Sequence, residues 1–315
     1  MRFPRVLGKI ADLDLLQVED LLGLAFEFRK RHEQGLRSGT ELRGKVVAMV
    51  FEKPSLRTKI AFEVAAASLG ATPVFLSSSQ ILASGNNQQG RESIPDIGRN
   101  LERFADLIMA RVYRHETIQT LAKSVRIPVI NALCDRHHPT QALADLMTIR
   151  LKKGHQTAIK VAFVGDGNNV ATSLMQICAL SGIDFAAASP PGFEIPAAER
   201  DRGRKFAAAT GKSVEFFRSP VQAVNGADVV YTDTFVSMGQ EAEREKRAAV
   251  FSDYQVGAEL MKSAKPDAVF MHCLPAHRGE EVTDEVMDSP QSVVFDQAEC
   301  RLHIAKALLL RMLAR

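Results

Sequence analysis

The chain reads as an α/β protein of two doubly wound domains with parallel sheets, joined by inter-domain helices. Three observations predict this. Short apolar runs alternate with stretches of helical period almost throughout. The runs are apolar on both faces, as strands of a helix-covered parallel sheet must be. They also fall into two series, each large enough for its own sheet. The first series is VVAMVF (46–51), PVFL (73–76), DLIMARV (106–112) and PVINAL (128–133). The second is KVAFVG (160–165), IDFAAAS (183–189), SVEFF (213–217), DVVYTD (228–233) and AVFMHC (268–273). Between them, 56–69, 92–104 and 169–181 carry the helical period, and Leu302, Ala305, Leu308, Leu309 and Met312 share one face of a final helix. A helical pattern starting near Thr140 gives way to a polar segment around Lys152 to Gln156, which marks the break. The expected division is therefore 1–150, 151–295, and a C-terminal helix, 296–315, packing back on the first domain.

With 315 residues and 46% hydrophobic composition, the chain can bury two cores. Its net charge of +3 balances 40 basic against 37 acidic residues. No block of like charge and no basic run interleaved with aromatics is present, which argues against nucleic acid or membrane as a partner. Arg2 and Arg5 are followed by Asp12, Asp14, Glu19 and Asp20 before any useful apolar run, so the start does not read as a signal peptide. No stretch approaches the ~18 apolar residues of a membrane span. Cys134, Cys178, Cys273 and Cys300 lie far apart without a CxxC pair, which fits a reducing cytoplasm better than a disulfide framework or a zinc site.

In open parallel sheets ligands bind beyond the carboxyl ends of the strands, so the chemistry belongs there. In FEKPSLRTKIAFEVAAASLG (51–70), Ser55 stands as a helix N-cap, Gly70 as a C′ residue, and Leu56, Ile60 and Val64 as the buried stripe. Two readings fit Ser55, Arg57 and Thr58. One is a capped helix with solvated charges; the other is an anion cradle of helix N–H groups, hydroxyls and a guanidinium fork. Arg111 ends the strand in MARVYR, where a cation either escapes to solvent or meets an anion. In CDRHHPTQALADL, His138 precedes Pro139 at a helix start, with Gln141 one turn in, and serves as cap, hydrogen-bond donor or proton donor.

VGDGNNVATSL begins as a dinucleotide fingerprint with Gly165 and Gly167, but Val170 occupies the third glycine position. A dinucleotide is thereby disfavoured, and Asn168 and Asn169 remain as amides at a helix start. TDTFVSMGQ belongs with it: Asp233 and Ser237 suit a ligand ammonium, and Gly239 lets backbone come close. HCLPAHRGEEV sets Cys273 at a strand end beside His272 and His277. It allows an activated thiol, a metal site without an evident third ligand, or a buried structural cysteine. Cations and hydroxyls thus collect on the first domain's strand ends, and amides, an acid and a thiol on the second's. That division predicts an anionic substrate on one, an amino-bearing substrate on the other, and transfer across the cleft.

PSLRT, MARV, HPTQ, GDGNN, DTFVSMGQE and HCLPAHRGEE occur in this order along nearly the whole chain. The series resembles the motifs of the ornithine carbamoyltransferase family, with SMG and HCLP setting it apart from the aspartate branch. The resemblance implies transfer of a carbamoyl group from carbamoyl phosphate to the side-chain amine of L-ornithine. Citrulline and phosphate would form through a tetrahedral intermediate, with no covalent enzyme adduct, metal or organic cofactor. It implies that Ser55, Leu56 (through its backbone), Arg57 and Thr58 hold the phosphate. Arg111 bridges phosphate and carbonyl oxygen, His138 donates to that oxygen, and Gln141 holds the carbamoyl amide. Arg301, in an AECR stretch similar to the family's AENR, also reaches the carbamoyl group. Cys273 and Leu274 line the meeting point of the substrates, and Asn169, Asp233, Ser237 and Met238 match the ornithine-binding positions.

Two departures from the family pattern stand out. Leu56 replaces its usual threonine, and SSSQILASGNNQQGRESI (77–94) is longer than its usual loop. That loop resembles one lent by a neighbouring subunit, with Gln80, Gln88 and Gln89 as candidate contacts. A homotrimer or multiple of trimers is implied. Two alternatives stay open: a carbamoyltransferase for a related acceptor such as N-acetylornithine, and a non-catalytic carbamoyl-phosphate or amino-acid binding protein.

Overall fold

The computed structural model describes residues 2–77, 92–154, 158–236 and 241–313. Residue contacts divide the chain into two units, Met1–Ala144 with Glu299–Arg315, and Asp145–Ala298. The division falls inside a helix that begins at Pro139, ahead of the polar segment at 152–156.

The first unit contains β1 (Val6–Leu7), α1 (Leu15–Glu33), β2 (Val46–Phe51), α2 (Leu56–Ser68), β3 (Thr72–Ser77), α3 (Ile94–Leu101), β4 (Leu107–Arg111), α4 (His115–Ser124) and β5 (Val129–Leu133). Its strands form one parallel sheet in the order β1-β5-β4-β2-β3. The interior strands β2 and β4 are buried almost throughout, whereas the edge strand β3 is half exposed, which is why the interior runs are apolar on both faces. The helix α5 (Pro139–Lys153) passes from this unit into the second.

The second unit follows with β6 (Lys160–Val164), α6 (Asn169–Leu180), β7 (Asp184–Ala188), α7 (Ala197–Thr210), β8 (Val214–Phe217), α8 (Pro220–Val224), β9 (Val229–Thr232), α9 (Arg244–Phe251), α10 (Ala258–Met261), β10 (Val269–His272) and α11 (Asp284–Met287). Its sheet is parallel in the order β10-β9-β6-β7-β8. The last helix, α12 (Val294–Leu313), starts in this unit and returns to the first. All nine expected strands form within a residue or two of their expected bounds. The tenth, β1, has only two residues, too few to show any period.

Each sheet reverses direction once. In the first, β2 has β3 on one side and β4 on the other; in the second, β6 has β7 on one side and β9 on the other. At such a switch point the turns leaving two neighbouring strands diverge to opposite faces and open a crevice at the carboxyl edge. The turns after β2 and β4 therefore frame one crevice, and those after β6 and β9 another.

One expectation about α2 is overturned. Leu56, Ile60 and Val64 are 72%, 54% and 43% exposed, not buried. The buried face holds Thr58, Ala61, Phe62, Ala65 and Ala66. The helix is apolar on two sides, and its period alone does not choose between them. The alanine side allows close approach to the sheet, while Ser55 accepts the Thr58 N–H at 3.2 Å and sets the phase. Gly70, with φ of +83°, ends the helix as expected.

Candidate active site

In the first unit the chemistry gathers where β2 runs into α2. Ser55 caps the helix with its Oγ as acceptor, which leaves its own O–H free of that role. Thr58, one turn in, is fully buried. Its hydroxyl oxygen accepts from Arg301 Nη2 at 2.6 Å and lies 3.5 Å from Arg111 Nη1. Both arginines are buried. Arg111 therefore does not escape to solvent. It stands at the end of β4, where the register with β5 shifts between Ala110 and Arg111, an irregularity of the kind that re-aims a strand-end side chain.

Lys53 is buried nearby, its ammonium pushed down by burial and by the charge of Arg111. Three cationic groups and a helix N-terminus thus create a strongly positive local field.

His138 and Gln141 stand at the start of α5, both buried. The His138 carbonyl accepts from the N–H groups of Gln141 and Ala142, both at 3.1 Å, the first bonds of the helix. Its Nδ1 lies 3.4 Å from Thr140 Oγ1. Burial, then the charges of Arg301 and Arg111, hold this imidazole well below its ordinary 6.5. At neutral pH it is uncharged and offers one N–H.

In the second unit the turn after β6 begins at Gly165, whose φ of +134° suits glycine alone. A Cβ on the next glycine, Gly167, would stand 2.1 Å from the Ile195 nitrogen, so the backbone there packs too closely for any side chain. Asn168 caps α6, its Oδ1 accepting from Val170 and Ala171 N–H at 2.9 and 3.1 Å. Its Nδ2 donates to Asp233 Oδ2 at 2.7 Å. The other oxygen of Asp233 accepts from the Cys273 thiol at 3.0 Å. Asp233 follows β9 and is buried, Cys273 follows β10 and is half-buried, and Asn169 opens α6. The structure thus joins the amide, the acid and the thiol at one carboxyl edge.

Behind Cys273, the Leu274 N–H donates to His272 Nδ1 at 2.8 Å, which makes Nδ1 an acceptor and puts the ring proton on Nε2. That Nε2 lies 3.2 Å from the fully buried Glu281 carboxylate. Leu274 itself has φ of +60°, an uncommon backbone state for leucine, of the kind found at functional turns. The His272 N–H donates to Gln297 Oε1 at 2.9 Å, and Gln297 Nε2 donates to Asp145 at 2.6 Å. Tyr231 completes this buried network by donating to Asp145 at 3.2 Å.

Two domain models match the chain: the carbamoyl-P binding domain of aspartate/ornithine carbamoyltransferase over residues 5–151, and the Asp/Orn binding domain over 157–312. The chain belongs to the aspartate/ornithine carbamoyltransferase family. It is 47% identical over 301 residues to the ornithine carbamoyltransferase of Bacillus subtilis, covering 95% of this chain and 91% of that one. It is 52% identical over 269 residues to the anabolic ornithine carbamoyltransferase of Pyrococcus furiosus, covering 85% and 84%. The solved structure of a Pyrococcus furiosus ornithine carbamoyltransferase superposes with a TM-score of 0.92 at 48% identity, covering 97% of this chain and 96% of that one. An anabolic member from Campylobacter jejuni gives 0.90 at 35% identity, covering 99% of each.

Of the residues matched to family motifs, Ser55, Thr58, Arg111 and Arg301 form a connected group, His138 lies within electrostatic range of both arginines, and Gln141 shares its helix start. Asp233 and Cys273 form a second group with Asn168. Ser237 and Met238 lie outside the described residues, as do 78–91 of the long loop with Gln80, Gln88 and Gln89. Leu56 and Arg57 open α2, and the Leu56 side chain points to solvent.

The sequence had hidden several partners. A third possible ligand does stand near each histidine: Asp233 beside His272 and Cys273, and Glu280 with Glu281 beside His277. Asp166 stands inside the GDGNN motif and Arg247 inside a charged run, neither at a spacing that marks a contact. Spacing along the chain carried no signal for any of these contacts.

The buried imidazoles have a measurable consequence. Burial pushes His115, His138 and His303 below their ordinary 6.5. The unfolded chain binds protons at 6.5 that the folded chain refuses until a lower pH. Their stabilising effect is complete above 6.5 and is lost as pH falls through the depressed values. Glu52 and Asp166, which burial pushes up, act in the opposite sense but start from 4.5 and 3.8. Urea unfolding is expected to show a lower midpoint at about pH 5.5 than at about pH 7.5. An equal or higher midpoint at the acid end contradicts this.

Proposed function

We propose that the chain transfers the carbamoyl group of carbamoyl phosphate to the side-chain amine of L-ornithine, releasing L-citrulline and phosphate. Family membership supports the carbamoyl-phosphate half. The observation that selects ornithine over aspartate is Asp233, a buried carboxylate at the switch point of the second sheet. An acid there attracts the ammonium of an α-amino acid and repels the extra carboxylate of aspartate.

On this reading the phosphate lies against the start of α2, held by Ser55, the backbone N–H of Leu56, Arg57 and Thr58. The exposure of the Leu56 side chain supports a backbone role at that position. Arg111 binds both a phosphate oxygen and the carbonyl oxygen, His138 and Arg301 donate to the carbamoyl group, and Gln141 holds its amide. Asn169, Asp233, Ser237 and Met238 hold ornithine, with Cys273 and Leu274 beside the reacting atoms.

The neutral side-chain amine adds to the carbamoyl carbon, forming the C–N bond and a tetrahedral oxyanion. The ordinary amine pKa of ~10.4 must fall for this, and a positive field disfavours the ammonium form. Donors already in place meet the oxyanion as its charge develops. The C–O bond to phosphorus then breaks, and the departing phosphate accepts the amine proton. Cys273, hydrogen-bonded to Asp233, positions and does not attack.

Phosphate release measured with carbamoyl phosphate and each of ornithine, N-acetylornithine, putrescine and aspartate tests this. Release with ornithine alone is expected; release with N-acetylornithine alone redirects the assignment, and none with any acceptor supports a binding protein instead.

The reading extends to a homotrimer or a multiple of trimers, with the loop at 77–94 lent to a neighbouring site. The outward stripe Leu56, Ile60 and Val64, together with Val74 and Phe75 on the edge strand β3, supports burial against another copy. Ile60→Glu is expected to lower the mass found by light scattering; an unchanged mass removes this stripe from the interface. A cytoplasmic setting agrees with four cysteines that form no disulfide with one another. Arginine biosynthesis agrees with the two relatives named anabolic.

A further inference from the structure

One buried cation ties together the two turns that carry the amine half-site. Arg247, on α9, is 5% exposed. Its Nη1 donates to Asp166 Oδ2 at 2.8 Å and to the Phe235 carbonyl at 2.9 Å. Its Nε donates to Glu243 at 3.0 Å. Asp166 lies in the turn after β6, just before Asn168 and Asn169, and Phe235 lies in the turn after β9, just past Asp233.

The supports converge on the same point. The guanidinium stands over the Phe193 ring at 4.8 Å, and the Phe193 carbonyl accepts the Gly167 N–H at 2.7 Å. The Phe235 ring stacks on Phe251 of α9 at 4.7 Å. A guanidinium is costly to bury unless it is paired and hydrogen-bonded, and here two carboxylates and a backbone carbonyl take three of its hydrogen bonds.

We propose that Arg247 is a positioning residue for the amino-acid substrate, setting the separation between the 166–169 turn and the 233–235 turn. Beyond the paired ends of β6 and β9, the Asn168–Asp233 hydrogen bond joins these turns at one point. Arg247 adds a second point, and two points fix both distance and angle. The acid that receives the ammonium and the amide that follows it are then held at the spacing an α-amino acid requires. This inference rests on the ornithine reading above.

The test is steady-state kinetics with each substrate varied in turn, on the parent and on Arg247→Ala, Arg247→Lys and Glu243→Gln. Arg247→Ala is expected to raise the ornithine KM at least about tenfold and to leave the carbamoyl-phosphate KM within about twofold. Arg247→Lys recovers part of the loss, because an ammonium reaches one acceptor but lacks the planar fork for two. A purely structural role predicts equal disturbance of both KM values, and that result overturns the proposal. So does an unmoved ornithine KM in a folded Arg247→Ala protein. If that variant does not fold, Arg247→Lys and the exposed-side change Glu243→Gln decide: a rise in the ornithine KM alone supports the role, and no rise in either ends it. A parent that fails to use ornithine defeats the functional reading and this inference together. Turnover with an unmoved KM defeats only the role of Arg247.

Discussion

Arg111→Met is expected to abolish most activity while leaving the fold intact. Its guanidinium is assigned to both the phosphate and the developing oxyanion, and one such donor is worth ~3–4 kcal/mol. The expected fall in kcat/KM is on the order of a thousandfold. Stability should follow a different course. Thr58 keeps Arg301 as a donor at 2.6 Å, so its buried hydroxyl is not stranded. Methionine fills much of the arginine stem's volume with apolar atoms. Removing the charge also relieves its repulsion on Lys53, whose ammonium it helps to depress. A midpoint of unfolding equal to or above the parent's, with activity lost, is the signature of a charge held for function. Activity within tenfold of the parent removes Arg111 from the transition state. Loss of both activity and stability shows instead that it is part of the scaffold.

Asp233→Asn is expected to act on the other substrate. The carboxylate accepts from the Asn168 amide at 2.7 Å and from the Cys273 thiol at 3.0 Å. An asparagine supplies one oxygen and turns an N–H toward one of those donors, so the local network loses an acceptor and gains a clash of donors. It also deletes the charge assigned to the ligand ammonium. A charged hydrogen bond of this kind is worth ~3 kcal/mol, or roughly a hundredfold in the ornithine KM. The carbamoyl-phosphate KM is expected to stay near the parent's, because the groups assigned to its phosphate (Ser55, Arg57, Thr58 and Arg111) belong to the other unit. Equal effects on the two substrates argue against the division of labour between the sheets.

Strand positions were legible because interior strands of parallel sheets are apolar on both faces and read as short apolar runs between helical stretches. The strand-end rule then led from periodicity to the chemistry without any knowledge of contacts. Side-chain fate was harder to read. The period of α2 revealed an apolar stripe, but Ala61, Ala65 and Ala66 on the opposite side formed the buried face, and what covers the stripe is not encoded in its spacing. Arg111 was undecided between solvent and an anion, since burial of a cation depends on partners such as Thr58, far away in sequence. Arg247 sits in EREKRAAVF, where every charge looks solvated; only the fold singles out the one that turns inward. Asn168 seemed merely adjacent to the matched Asn169, yet it is Asn168 that bridges to Asp233.

The most direct measurement of the central claim is product identity. Purified protein is supplied with carbamoyl phosphate labelled with ¹³C in the carbamoyl group, together with L-ornithine, and the products are followed by NMR alongside phosphate. The account predicts that the label appears in the ureido carbon of citrulline, one molecule for each phosphate released. Phosphate release without labelled citrulline, or label passing only to a different acceptor, contradicts it.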